Sequence, residues 1–210
     1  MIAALLLAAA PVATAVDAER AFAADARRIG QWTAFRKWAE PGAVMFTPQA
    51  VWAQRYLRGR KDPPRAIEWW PEKSFVSCDG RTAVNSGPWR LAGATGYFTT
   101  LWIRGVRGWQ WSVDGGDETR GVTIPPRLTV RRASCANRAL RLRQIEAAYR
   151  APINRAQPPG DTGYNQSADG TLLYQWRVSP NGAREQQAKL WTGRRFELVL
   201  DQRVAAPPQR

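Results

Sequence analysis

Apolar residues recur every three or four positions in the first part of the chain and every two positions from Trp69 onward. The first period predicts helices and the second predicts strands. In "DAERAFAADARRI" (17–29), Phe22, Ala26 and Ile29 share one helical face, acids occupy the first turn and Gly30 stops the run. "QWTAFRKWAEPG" continues with Trp32, Phe35 and Trp38 at helical spacing, closed by Pro41-Gly42. "AVMF" reads as a short strand. "TPQAVWAQRYL" reads as a helix with Thr47 as N-cap, Pro48 at the first helical position, and Trp52 and Tyr56 one turn apart.

Beyond the connector "GRKDPPR", "WWPEKSFVSC" and "RTAVNSGPWRL" flank Asp79-Gly80, a strong hairpin signal. "TGYFTTLWIRG" and "GWQWSV" make the next hairpin across Gly105–Gly108. Strict alternation puts Trp109, Trp111 and Val113 on one face of the last strand, and Gln110, Ser112 and Asp114 on the other. Helical segments followed by about four antiparallel strands give an α+β fold with helices on one sheet face. After Gly116, "RLTVRRASC" suggests a strand, and "NRALRLRQIEAAYR" a basic helix with Leu142, Ile145 and Tyr149 on one face. "APINRAQPPGDTGYNQSADG" reads as a linker. "TLLYQWRV", "EQQAKLW" and "RFELVLDQRV" read as three strands turned at Asn181-Gly182 and Thr192-Gly193.

Three features of composition change the picture. The chain opens with an apolar run, Ile2 to Val12, followed by the small-x-small triplet Ala13-Thr14-Ala15. That is a signal-peptide pattern, and the run is shorter than the roughly 20 residues needed to span a bilayer. Cleavage after Ala15 is expected, leaving no integral membrane segment and a periplasmic or secreted bacterial protein. In that oxidising setting the two cysteines, Cys78 and Cys135, can pair, the alternative being two buried thiols. A loop of about 56 residues closed this way stabilises the fold by roughly 3–4 kcal/mol.

The net charge is +14, from 27 arginines, 4 lysines and 17 acids. The arginines are scattered rather than gathered in one tract, so nucleic acid is not an expected partner. Histidine is absent. This excludes Ser-His-Asp and Cys-His nucleophile systems and His-ligated zinc. No cofactor and no metal are expected.

Three stretches, "ERAFAADARRIGQWTAFRKWAEPGAVMFTP", "RTAVNSGPW" and "YFTTLWIRGVRGWQWSVDGG", resemble the nuclear transport factor 2-like superfamily, most nearly its SnoaL-like type (domain of unknown function 4440). The resemblance covers residues 17–116. It implies a cone-shaped curved sheet wrapped on three helices, often paired as a homodimer through the sheet's outer face. The expected organisation is a signal peptide at 1–15 and the cone at 17–116. A β-rich extension at 117–204, with its basic helix near 138–150, is expected to complete a second small β layer or cover the dimer face, ahead of a frayed tail at 205–210. Superfamily enzymes resembling this module include isomerases, cyclases and dehydratases, whose catalytic groups sit inside the cone.

Tryptophans make good cone walls because each buries a large area and needs one partner for its N–H. Trp38, Tyr56, Trp69, Trp70, Trp89 and Trp102 are the candidates to line a ligand pocket. Two carboxyls are the catalytic candidates, each beside a plainer reading. Glu68 precedes Trp69-Trp70 and would sit against their rings. Asp114 stands where the last strand leaves the sheet, and the preferred reading makes it an outward-facing turn aspartate bonding the Gly115-Gly116 backbone. The expected function is non-catalytic binding of a small apolar or aromatic ligand in the cone, or an interaction module. The alternative is an isomerase- or cyclase-like enzyme using a buried carboxylate on a carbonyl-bearing substrate.

Overall fold

The computed structural model describes residues 12–121, 124, 126–148 and 161–208. Most of the expected leader, Tyr149 and the stretch through Gly160 lie outside the described residues. Helix α1 (Ala15–Ile29) opens on a capping box: Thr14 Oγ1 accepts from the Asp17 N–H, and the Asp17 carboxylate accepts from the Thr14 N–H. The expected cleavage point after Ala15 therefore lies in the first turn of α1, where Ala15 and Val16 are both buried. Gly30, at φ 102°, separates α1 from α2 (Gln31–Trp38). Lacking a side chain of its own there, α2 is capped from a distance by Asp62, which accepts from Thr33 N at 2.9 Å and Thr33 Oγ1 at 2.6 Å.

The segment expected to form the third helix splits. Ala50–Trp52 become strand β2, pairing with β1 (Ala39–Phe46) in the register Phe46↔Ala50, and only Ala53–Tyr56 remain helical as α3. Tertiary pairing overrides a plausible local cap because it buries Ala50 and extends the sheet edge. The first sheet then runs β2-β1-β7-β6-β5-β4-β8. It comprises β4 (Lys73–Val76), β5 (Thr82–Leu91), β6 (Ala94–Gly105), β7 (Gly108–Glu118) and β8 (Thr129–Arg132), with the short β3 (Glu68–Trp69) pairing β5. The two expected hairpins, β4–β5 and β6–β7, form the middle of this sheet.

The extension departs from expectation in three ways. Strand β8 joins the first sheet, parallel to β4, rather than the second layer. In α4 (Arg138–Ala148) Leu142 is exposed, while Leu140 packs on the core and Arg141 is buried. Part of the expected linker, Thr162–Gln166, is strand β9. With β10 (Leu172–Val178), β11 (Arg184–Trp191) and β12 (Phe196–Val204) it makes an antiparallel sheet ordered β12-β11-β10-β9.

Two cores result, one on each face of the first sheet. On the inner face Phe22 and Ala26 of α1, with Leu57 just after α3, pack against Trp69, Phe98, Trp102, Trp109 and Trp111. On the outer face Val44, Phe75, Val84, Leu101 and Val113 meet Leu172, Tyr174, Trp176, Leu190 and Trp191 of the second sheet. At roughly 1.5–3 kcal/mol per large apolar side chain, both interfaces are major contributors to stability.

Cys78 and Cys135 are disulfide-bonded, with Cα atoms 5.3 Å apart and 57 positions of separation. The bond fastens the segment after β8 to the β4–β5 turn. Its reduction is expected to lower unfolding free energy by about 3 kcal/mol, measured by urea titration with and without reductant.

A candidate functional site in the cone

The decisive local feature is a β-bulge. From Gly105↔Gly108 to Trp102↔Trp111 the β6–β7 register is regular, but the next pair is Leu101↔Val113. Ser112 is therefore an extra residue. It is buried, and its hydroxyl donates to Glu40 on β1. An extra residue exchanges the faces of everything after it. Val113, expected beside Trp111, instead faces the second sheet. Asp114, expected outward, turns onto the helix-facing side opposite Thr100, whose hydroxyl donates to Asp114 Oδ2 at 2.8 Å. The outward turn aspartate is thus corrected to an inward one.

Asp114 lines a cavity of about 380 Å³ between the helices and the open end of the sheet. Phe22, Trp32 and Phe35 come from the helices, Trp69, Trp89 and Phe98 from the strands, and Gln31, Asp117 and Glu118 add polar groups. Trp89 reaches its place because its cross-strand partner is Gly96, where any Cβ would stand 2.5 Å from the indole ring. Burial pushes the Asp114 carboxyl up to about 7, against the pull of the Thr100 hydroxyl. Its second oxygen, Oδ1, has no hydrogen-bond partner among the described residues and is free to meet a ligand.

Behind the cavity wall lies a second acid that sequence reasoning missed. Glu19, on the buried face of α1, has no exposure. It accepts from Trp69 Nε1 at 2.8 Å, Trp102 Nε1 at 2.6 Å and Asn85 Nδ2 at 3.2 Å. Burial raises this carboxyl, the two indoles and Asn85 lower it, and neighbouring Asp114 raises it again, leaving it at about 7. A signal was available: Glu19 sits three positions before Phe22 and seven before Ala26, on the apolar stripe itself.

The predicted aromatic residues divide. Trp69 and Trp89 line the cavity. Trp102 is buried beneath it, donating to Glu19, and Trp38 packs edge-on against Trp102 while donating to Asp25. Tyr56 and Trp70 lie elsewhere, each under an arginine: Arg60 at 3.9 Å and Arg90 at 5.2 Å from the ring centroid. Glu68 is outside as well, ion-paired to Arg90 at 2.7 Å beside a separate, arginine-rich groove. The structure therefore gathers Asp114, Trp69 and Trp89 into one site and leaves Glu68, Trp70 and Tyr56 out.

Helices seated in a curved sheet, with an aromatic cavity at its open end, decide the architecture. The fold is an α+β cone, a curved sheet wrapped on helices, as the sequence resemblance implies. Its sheet carries an additional β layer on the outer face. Among solved structures the chain is similar to a nuclear transport factor 2-like protein of unknown function from Shewanella oneidensis, at 16% identity and a TM-score of 0.38, over 46% of this chain and 91% of that one. It is also similar to a protein with unknown function, of the domain of unknown function 3225 family, from Pectobacterium atrosepticum, at 10% identity and a TM-score of 0.39, over 50% of this chain and 88% of that one. No protein-family model matches the chain, and neither does any curated protein.

Proposed function

We propose that the cone binds a small, flat, aromatic or apolar molecule in its cavity, with Asp114 as the polar anchor. The observation that carries this reading is the pairing of an aromatic cavity with a carboxyl group turned into it by the Ser112 bulge. Sites for small molecules are mostly apolar, with a few placed polar groups that fix orientation. Protonated, Asp114 donates a hydrogen bond; ionised, it accepts one. Titrating intrinsic tryptophan fluorescence with a panel of aromatic compounds and steroids tests the reading. Saturable quenching is expected, weakened about tenfold by Trp89→Ala through lost ring contact. Absence of quenching across the panel overturns it.

A second reading, proton transfer on a carbonyl-bearing substrate, draws support from the same carboxyl. A general base works best when it titrates near the operating pH, and Asp114 is raised to about 7. Thr100 is its only hydrogen-bond donor among the described residues, so the anchoring role is preferred. Deuterium loss from the α-carbon of a cyclic ketone, abolished by Asp114→Asn, is the result this second reading requires.

A disulfide-bonded pair fits an oxidising compartment, and no described helix is long and apolar enough to cross a membrane. With the signal-like leader, these features support placement in the periplasm or outside the cell.

A further inference from the structure

The cavity carries a charge opposite to that of the rest of the chain. Asp114, Asp117 and Glu118 line it, and no lysine or arginine among the described residues does, on a protein of net charge +14. Buried Glu19 adds a further acid close enough to Asp114 for the two to repel. One countercharge, Arg184 of β11, interacts with Asp117. Its guanidinium lies behind the cavity wall, donating to the Gly116 carbonyl and standing 5.6 Å from the Phe46 ring. It is not among the residues that line the cavity.

Aromatic faces and carboxylates attract the same partner. The π face of an indole or phenyl ring is electron-rich and draws cations, most strongly when water is excluded. A carboxylate with an unpartnered oxygen gains a charge-assisted contact from a cation and nothing comparable from a neutral hydrocarbon. The surface arginines oppose this only weakly. They are solvated, and their field is screened over about 8–10 Å of saline, whereas Asp114 would touch the ligand.

Resting on the cavity being a ligand site as proposed above, we infer that its ligand is a flat aromatic cation, of the N-alkylpyridinium or protonated arylamine class, with its nitrogen toward Asp114 and its ring among Trp69, Trp89 and Phe98. An anionic ligand would meet three carboxyls and no cation.

A matched pair of probes tests this: N-methylquinolinium and its uncharged isostere 1-methylnaphthalene, each titrated calorimetrically into the full protein at pH 8, with 1-naphthoate as the anionic control. The expected result is that N-methylquinolinium binds about tenfold more tightly than 1-methylnaphthalene, that 1-naphthoate binds most weakly, and that Asp114→Asn brings the first two within about threefold of each other. Should Asp114→Asn fail to fold, the rim variant Asp117→Asn/Glu118→Gln serves instead, and the cation preference falls about threefold, by less than loss of the direct contact would cause. Equal or tighter binding of 1-methylnaphthalene overturns the cation inference and leaves the aromatic pocket standing. No binding of any probe overturns both. A preference for N-methylquinolinium that survives Asp114→Asn and the rim variant alike also overturns the inference, because the cation is then held elsewhere.

Discussion

Replacing Glu19 by alanine is expected to cost about 4 kcal/mol of folding stability, since it strands three buried donors at once. Among the described residues the single side-chain N–H of Trp69 and of Trp102 has no other partner, and the Asn85 amide keeps only its bond to the Ala15 carbonyl. Each unsatisfied buried group costs about 1–3 kcal/mol, and the vacated volume adds to this. Relief of the buried acid's own desolvation offsets part of the sum. Domains of this size are stable by only about 5–15 kcal/mol, so the variant loses a large share of its margin. Glu19→Gln supplies one acceptor and turns an amide toward the second indole, so a smaller loss of about 2 kcal/mol is expected. Urea unfolding of both variants provides the check. A cost below about 1 kcal/mol for the alanine variant would show that the three donors find other partners.

The same acid and Asp114 make stability depend on pH in a direction opposite to that of most carboxyls. Both are raised to about 7 in the fold, from ordinary values of 4.5 and 3.8. Between those ordinary values and 7 the folded state holds more protons than the unfolded state, so raising the pH destabilises the fold. The contribution is fully present near pH 4 and lost as pH passes through 7. Between pH 5 and pH 8 the loss is expected to be about 2 kcal/mol from each group, or a fall of about 10 °C in Tm for the two together. They repel one another and titrate as a pair, so Asp114→Asn removes its own share and also lowers the remaining midpoint. Asp25 and Asp169 act in the other direction. Burial opposes their ionisation, but hydrogen bonds from Lys37, Arg28 and Trp38, and from Ser167 and Thr171, hold them below the usual range. Their contribution disappears only in stronger acid, so the stability maximum is expected near pH 5. Thermal scans from pH 4 to 9 decide this: a flat profile, or a Tm that climbs from pH 5 to 8, contradicts it.

The sequence carries the frame of the fold openly and hides its site. Helix α1 is written in its acidic first turn, its apolar stripe and the Gly30 stop, while its cap Thr14 reads as part of the leader's small-x-small triplet. The β4–β5 hairpin is written in Asp79-Gly80, and the β6–β7 hairpin in two tryptophan-rich strands around a glycine-bearing turn. Each of these signals is local. The position of Asp114 depends instead on a count that no window contains. From Gly108 the strand alternates faithfully, and only the pairing with β6 shows that Ser112 is surplus. Serine carries no special mark as a bulge residue, so alternation assigned every later side chain to the wrong face. Strand β2 escaped notice for a related reason, because Thr47-Pro48 looks like a helix start until β1 is found lying alongside. Glu19 was legible in principle, but an acid on an apolar stripe acquires meaning only when the two indole N–H groups that need it are known.

The second β layer has a consequence for assembly. A sheet face composed of Val44, Phe75, Val84, Leu101 and Val113 would draw together separate molecules at high concentration if it stood open. Here the covering surface is tethered to the same chain, and its closure is set by effective concentration rather than by mass action. Dilution does not uncover it. A second copy seeking this face must first dislodge Leu172, Tyr174 and Trp176 from where they lie.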